Sequence, residues 1–484
     1  MTLSSNLLKI GLANMPPHIR VGTAELDCTD EPATFAPDIV AAPSESMLLL
    51  TLVRKGSEVA LRQWRLKPQP ISLRYAAGAF ALKALDDASV ITPVSAKSDA
   101  VDPALPYCLK LQAVNADDRH IPAVWLPVYA HEMARQQWTE AKNHMRASAA
   151  GRFLPPCLAP GSGTLRVVAR NIMSRDAVGN FSISLAATLL NYGMSARAYA
   201  YASCPELAGL VSPPAELAGE LRPEDVLFYN YSTEDEFLPL ITRLPCKKKI
   251  LYYHNVTPGH WFQGKYPEVA AALERARRQY SLFSAFDAVI ANSSFSLQDL
   301  LPHVAKDTPK AVYPPSLAPD RLLTIRPQTP SQTPPHNYLL WVGRNVPHKR
   351  PEAALDIFSR LSTHTDALAL VMVLGGRRDF PLYAADFEAK MAAFPAPVRN
   401  RIIIYEDLNE AQLAWLYRHA LLLLCTSQHE GYCLPVREAM SFGLPIAAFA
   451  QAAVEETLNG YGHILPERPE EAAKALWQLL KDAQ

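Results

Sequence analysis

The chain has 484 residues, with 47 basic and 47 acidic side chains, so its formal net charge is zero. That length predicts two or three domains, and a hydrophobic share of 49% beside 19% charged residues excludes long disorder and allows a substantial core. Without a basic excess there is no electrostatic reason to expect a nucleic-acid partner.

From the N-terminus, Met1 to Ile10 carries no basic leader and no long apolar stretch, so it does not read as a signal peptide. Residues 1 to about 150 read as a small β-rich accessory domain. Its expected strands are Leu48–Val53, Val59–Leu66, Ile71–Ala76, Val90–Val94 and Tyr107–Val114, closed by a helix over about Tyr129–Ala149. The Pro-rich stretch Leu154 to Thr164 then breaks the chain.

Residues 164–325 alternate short apolar runs with amphipathic segments: Leu165–Arg170 then Phe181–Tyr192, Val226–Tyr231 then Glu236–Leu244, Ile250–His254 then Pro267–Ser281, Ala288–Asn292 then Phe295–Val304. A second Pro-rich connector, Arg326 to His336, has polyproline character. Residues 337–484 resume the rhythm through Tyr338–Val342, Pro351–Leu361, Leu368–Leu374, Leu382–Phe394, Ile402–Tyr405, Glu410–His419, Leu421–Cys425, Leu434–Ser441, Ile446–Phe449 and a last helix from about Glu470 to Lys481, which is free to pack back on the preceding domain. Apolar runs of this length followed by amphipathic helices predict two doubly wound parallel α/β domains. Ligands in such sheets bind at the carboxyl ends of the strands, so two of them facing each other predict a cleft.

Composition sharpens where to look in that cleft. Glycine is scarce, at 20 residues or about 4% against a usual share near 7%, so its positions carry information. Seven scattered cysteines without a C-x-x-C fit a reducing cytoplasm better than a disulfide framework or zinc site. No apolar run reaches the length of a membrane span. The expected location is the cytoplasm, with room for peripheral contact at the inner face of the membrane through Lys247, Lys248, Lys249 and the helix bearing Arg275, Arg277 and Arg278.

The most informative segment runs from Ser427 to Pro445. It follows an apolar strand, crosses a loop with Gly431 and enters a helix with Pro435 in its first turn. Free amides near Tyr432, Cys433 and Leu434 would form an anion site reinforced by the helix dipole. Phosphate repels carboxylates, so Glu430 and Glu438 are read as acceptors for hydroxyls flanking a phosphate group. Glu438 would take a vicinal diol such as a ribose, and Glu430 a sugar on the other side. Upstream, Gly343 lets the backbone turn while Arg344 and Lys349 extend toward the cleft, where cations would stabilise charge developing on a leaving diphosphate. Arg350 could replace Lys349 in that role. Gly375 and Gly376 make a tight turn beside the same cleft, either for close approach of a ligand or as a plain strand end.

The pair Glu430 and Glu438, within His429-Glu430-Gly431-Tyr432-Cys433-Leu434-Pro435-Val436-Arg437-Glu438, resembles the E-x7-E signature of the retaining GT-B glycosyltransferases of family 4. The resemblance covers about residues 165–484. It implies a nucleotide diphosphate sugar as donor and co-substrate rather than a resident cofactor, bound mainly by residues 337–484, with the acceptor bound mainly by residues 164–325. It places Glu430 against the transferred sugar and Glu438 against the ribose, and it matches Arg344 and Lys349 to a G-R-x-x-x-x-K pair. His254, in Tyr253-His254-Asn255, matches a histidine that contacts the donor sugar, while a packing histidine is the plainer reading. The family often has two glycines in the loop where this chain has Gly179 alone, between Asp176 and Phe181. The stretch Tyr405 to Leu408 corresponds to the base-recognition region, with no atom assigned. Asn292, Ser293 and Ser296 resemble an N-S-x-x-S/T stretch, though such residues are also ordinary helix caps.

No D-x-D follows a strand and no H-E-x-x-H occurs, so no metal is implied. The resulting expectation is a metal-independent retaining glycosyltransferase acting on a saccharide or lipid-linked acceptor in cell-surface polysaccharide or glycolipid assembly. Its rivals are a non-catalytic sugar-nucleotide-binding scaffold and a sugar-nucleotide epimerase on the same architecture.

Overall fold

The computed structural model describes residues 18–20, 26–40, 47–54, 60–76, 79–85, 92–96, 107–114, 124–135, 163–173, 176–191, 195–207, 209–315, 322, 325–406 and 408–482. The N-terminal ten residues, Val59, Val90, the stretch 136–149 read as a helix, most of the first Pro-rich break (154–162) and Asp407 lie outside the described residues. The chain divides into two compact units. One comprises Met1–Tyr231, Asp235–Tyr252 and Leu282–Val289; the other comprises Ser232–Glu234, Tyr253–Ser281 and Ile290–Gln484.

In the first unit, a mostly antiparallel sheet runs in the order Leu26–Asp27, Val124–Tyr129, Tyr107–Val114, Met47–Arg54, Ala60–Leu66, Thr92–Ala96. Alternation explains it: Leu48, Leu50 and Leu52 share a face with Leu109 and Leu111, and all five are fully buried. A smaller sheet joins Ala33–Phe35, Ile71–Ala76 and Ala79–Ala84. Tyr129, expected to open a helix, instead closes a strand, because Val128 and Tyr129 pair with Leu26 and Asp27.

The same unit holds strands paired in parallel in the order Val211–Ser212, Ser195–Ser203, Thr164–Ile172, Val226–Tyr231, and the strand Lys248–Tyr253, all but its last residue in this unit, lies next in the sheet. Ser195–Ser203 escapes a search for apolar runs because alanine alternates with serine, arginine and tyrosine. The expected helix Glu236–Leu244 shrinks to Leu238–Ile241 between turns. The helix predicted near Phe181 begins earlier, at Ala177, and ends at Asn191.

The second unit carries the sheet that positions the site. Its strands lie in the order Ile402–Tyr405, Ala369–Gly375, Tyr338–Arg344, Leu422–Cys425, Ile446–Phe449, His463–Leu465, and every neighbouring pair is parallel. In chain order this is 3-2-1-4-5-6, the doubly wound order whose direction reverses between Tyr338–Arg344 and Leu422–Cys425. Ligands of doubly wound sheets bind outside the strand ends at that switch point, and the loops leaving these two strands carry Lys349 and Glu430.

Core packing follows the same logic. Helix Pro351–Leu361 buries Ala354, Leu355, Phe358 and Leu361 on one stripe, at the i, i+3, i+4 spacing of an amphipathic helix. The last helix, Pro469–Asp482, buries Ala472, Ala473 and Leu476 in the same core. The strand expected to stop at Val342 continues to Arg344, since Gly343 and Arg344 pair with Leu374 and Gly375. Helix Val454–Leu458 and strand His463–Leu465 were too short to stand out, and Asn459 and Gly460 separate them with left-handed backbone. Among the described residues no helix is long and apolar enough to cross a membrane.

Candidate functional site

The sequence at the end of strand Tyr338–Arg344 explains its local shape. A Cβ on Gly343 would lie 2.9 Å from the Trp341 ring, so glycine lets that indole fold over the strand. Trp341 Nε1 donates to Thr426 Oγ1 at 2.9 Å, and Thr426 Oγ1 donates to Arg350 O at 2.8 Å with Lys349 O at 3.1 Å. Gln428 N–H adds a bond to His348 O at 2.8 Å. These ties hold the turn Pro347–Lys349 against the loop that leaves Leu422–Cys425. Neither Trp341 nor Thr426 was a sequence candidate, because nothing local marks a partnership across that separation.

The consequence is an ion pair between Lys349 Nζ and Glu430 Oε1, with side chains 16% and 8% exposed. Burial alone would lower the lysine pKa, but the Glu430 carboxylate outweighs it and holds the ammonium above its ordinary value. Lys349 was expected to face a leaving diphosphate; here its ammonium meets the Glu430 carboxylate. Arg350 turns the other way, its Nε donating to Glu352 Oε1 at 3.0 Å, so it does not substitute for Lys349.

Arg344 is exposed and enters no ion pair among the described residues. Its side chain lies along Gly375 and Gly376, whose added Cβ atoms would sit 4.0 and 3.9 Å from its Cγ and Cδ. Gly376 has φ +70°, a left-handed turn that glycine adopts without steric cost. The result is a guanidinium exposed at the carboxyl end of the first strand, with no ion pair among the described residues.

A second set of contacts packs around the two residues that flank Glu430. His254 is buried, and its burial depresses the imidazole pKa to about 3. Its carbonyl accepts from Asn292 Nδ2 at 3.0 Å. A Cβ on Gly431 would meet His254 O at 2.4 Å and Asn255 Cβ at 2.5 Å, which accounts for the glycine there. His429 Nε2 lies 2.9 Å from Asn255 Oδ1, and burial holds its pKa down to about 4. His348 is likewise pushed well below its ordinary range by burial and by the Lys349 and Arg344 charges.

Beyond the loop, Tyr432 is partly buried, Cys433 is the N-cap residue and Leu434 opens helix Leu434–Ser441. The anion site expected from three free amides is reduced, because Cys433 N–H donates to Thr457 Oγ1 at 3.4 Å. The Cys433 side chain is buried in the core, its Sγ 3.8 Å from Cys425 Sγ and 3.7 Å from Glu430 Oε1. Glu438 sits one turn into the helix and is buried, with Tyr417 OH donating to its Oε2 at 2.8 Å. Glu438 is therefore not an exposed helical glutamate. Tyr417, on helix Glu410–His419, had no local signal.

Gly179 belongs to the other compact unit. It is not in an open loop but in the first turn of helix Ala177–Asn191, where its N–H and that of Val178 both reach Asp176 Oδ2 at 3.1 Å. A Cβ there would lie 2.0 Å from Met173 O, so tight packing of the helix start explains this glycine.

Residues 325–484 match the family model described as glycosyl transferases group 1. A D-inositol 3-phosphate glycosyltransferase of Xylanimonas cellulosilytica is 26% identical over 195 residues, covering 37% of this chain and 45% of that relative. The chain thus spans under half the length of the curated relative it matches. Among solved structures, OtsA in its apo form has a TM-score of 0.51 at 13% identity, covering 66% of this chain and 91% of the other. An E. coli structure described as trehalose-6-phosphate bound with UDP-2-fluoro glucose has a TM-score of 0.50 at 12% identity, with the same coverage of 66% and 91%. At such identities the likeness concerns the fold. The chain therefore has the GT-B fold of glycosyltransferases, with a glycosyl transferases group 1 region spanning residues 325–484.

Proposed function

We propose that the protein is a retaining, metal-independent glycosyltransferase that moves a sugar from a nucleotide diphosphate donor to an acceptor hydroxyl. The observation that carries this reading is the Lys349–Glu430 pair at the strand switch point, beside exposed Arg344 at the end of the first strand and buried Glu438 in the helix that follows the Glu430 loop. Glu430 is already neutralised by an ammonium, which suits an acceptor of sugar hydroxyl bonds better than a proton-abstracting base. When a donor enters, its sugar hydroxyls would share Glu430, and Lys349 and Arg344 would face the diphosphate. Preorganised cations at a developing phosphate charge stabilise the transition state more than the ground state.

Retention follows from attack on the face that the diphosphate leaves. The acceptor oxygen bonds to the anomeric carbon as the glycosyl–phosphate bond breaks, and the acceptor proton passes to the departing phosphate oxygen. No protein base is needed. The acceptor is of saccharide or lipid-linked class, in cell-surface polysaccharide or glycolipid assembly, a reading supported by the E-x7-E resemblance.

The test is incubation of the purified protein, with chelator present, with UDP-glucose, GDP-mannose and ADP-glucose, following release of nucleoside diphosphate and the anomeric configuration of the product by NMR. Release of UDP, GDP or ADP with a product of the donor's configuration is expected. Binding without turnover would point to a scaffold, and an epimerised donor without an acceptor would point to an epimerase; either result rejects the proposal. Inverted product rejects retention, and dependence on added divalent metal rejects metal independence.

A further inference from the structure

Within the second compact unit, the loop bearing Glu430 is held at both of its neighbours by one buried polar network. His429 Nε2 meets Asn255 Oδ1 at 2.9 Å, Asn255 Nδ2 donates to Ser296 Oγ at 3.2 Å, and Ser296 Oγ donates to Gly431 O at 3.2 Å. Ser293 Oγ completes it, donating to Ser296 Oγ at 3.0 Å while accepting from Ser296 N–H at 3.0 Å. The proton count closes. Ser296 has one hydroxyl hydrogen, spent on Gly431 O, and two acceptor positions, filled by Asn255 and Ser293. The Asn255 amide nitrogen is committed to Ser296, so its oxygen accepts and His429 must present N–H at Nε2.

Asn255, Ser293 and Ser296 are all under 9% exposed. Asn255 also has φ +76°, a left-handed conformation that non-glycine residues rarely keep without a reason. Its two side-chain bonds supply one. A hydrogen-bonded network excluded from water rigidifies what it holds, and what it holds here is the pair of residues on either side of Glu430.

We propose that Asn255, Ser296 and His429 are positioning residues that fix the Glu430 carboxylate opposite Lys349 by clamping His429 and Gly431. This rests on the reading of Glu430 as the group that contacts the donor sugar. A shift of about 1 Å in such a group is enough to cost about 100-fold in rate. The clamp therefore acts on sugar transfer and spares the nucleotide.

Two variants test it without unfolding the site. Asn255→Gly deletes the side-chain bonds while keeping a residue at ease with positive φ, and His429→Phe keeps the ring but removes its N–H. His429→Gln, which restores a donor, is the conservative rescue. Turnover of UDP-glucose, GDP-mannose and ADP-glucose, affinity for UDP, GDP and ADP alone, and amide hydrogen exchange over residues 427–433 are measured for each. The expected result is a kcat lowered about 10- to 100-fold in Asn255→Gly and His429→Phe, unchanged affinity for the nucleoside diphosphate, recovery in His429→Gln, and exchange in 427–433 accelerated at least about tenfold. Unchanged exchange in both variants, or wild-type turnover with loosened exchange, overturns the proposal. If the wild type turns over no donor, the catalytic reading falls, and accelerated exchange in Asn255→Gly still establishes the clamp.

Discussion

Lys349 and Glu430, 81 residues apart in the chain, meet as an ion pair whose side chains are 16% and 8% exposed. The strand switch point brings their loops together, and the bonds through Trp341 and Thr426 keep them there. Removing one partner leaves the other charge with little water around it. Lys349→Met should therefore destabilise the protein by about 3 kcal/mol, the lower end of the range for breaking a buried pair, whereas Lys349→Met/Glu430→Gln should recover much of that. Chemical unfolding of the single and double variants measures both; a double variant no more stable than Lys349→Met would show that the charge pairing is not what matters.

Arg344 should behave in the opposite way. It is exposed and unpaired among the described residues, so Arg344→Ala should change stability by no more than about 0.5 kcal/mol. Its loss from a developing diphosphate charge should lower donor turnover by about 100-fold. Steady-state kinetics beside a thermal melt separates the two effects, and normal turnover would remove Arg344 from the site.

Gly375 and Gly376 are adjacent yet should not respond alike. An added Cβ at Gly375 meets only Arg344 Cγ at 4.0 Å, while Gly376 has φ +70° and Asp379 Oδ2 at 3.1 Å. Gly376→Ala should cost about 1–2 kcal/mol from the left-handed backbone, and Gly375→Ala close to nothing. Equal melting temperatures for the two variants would contradict the strand-end geometry.

Gly431→Ala should be more damaging to function than to folding. The new methyl would meet His254 O at 2.4 Å and Asn255 Cβ at 2.5 Å, neither of which is the far end of a flexible side chain. The loop must move, at about 1–3 kcal/mol for overpacking, and Glu430 moves with it. A variant with near-normal donor turnover would show that the loop tolerates the shift.

Stability should fall as the solution is acidified below the ordinary histidine range. Burial holds His254 at about 3 and His429 at about 4, so the unfolded chain takes up protons that the folded chain refuses. Their contribution is complete above pH ~6.5 and is lost as pH falls toward those folded values, at about 1.4 kcal/mol per unit for each group. From pH 7 to 5 that amounts to about 2 kcal/mol per histidine. His429→Gln should flatten the stability curve over that interval by about this amount, as read from unfolding midpoints; an unchanged slope would mean that His429 titrates normally.

The sequence by itself determined the strands of the second unit's sheet, the short His463–Leu465 excepted, and the entry into helix Leu434–Ser441, because each of those is written locally. Continuous apolar runs such as Leu422–Cys425 are what strands buried on both faces require, and the seven-residue gap places Glu430 in the loop and Glu438 one turn inside the helix. Gly343, Gly376 and Gly431 also stood out, being few in a chain poor in glycine. Only the tertiary structure decided which groups meet. Trp341 and Thr426 are 85 positions apart, Lys349 and Glu430 81, and Asn255 and His429 174. Spacing along one element says nothing about partners brought together by the order of strands in a sheet. That is why the pairing of Lys349 with Glu430 was not legible in the sequence, and why Gly179, read as part of a loop, proved to be a helix start pressed against Met173.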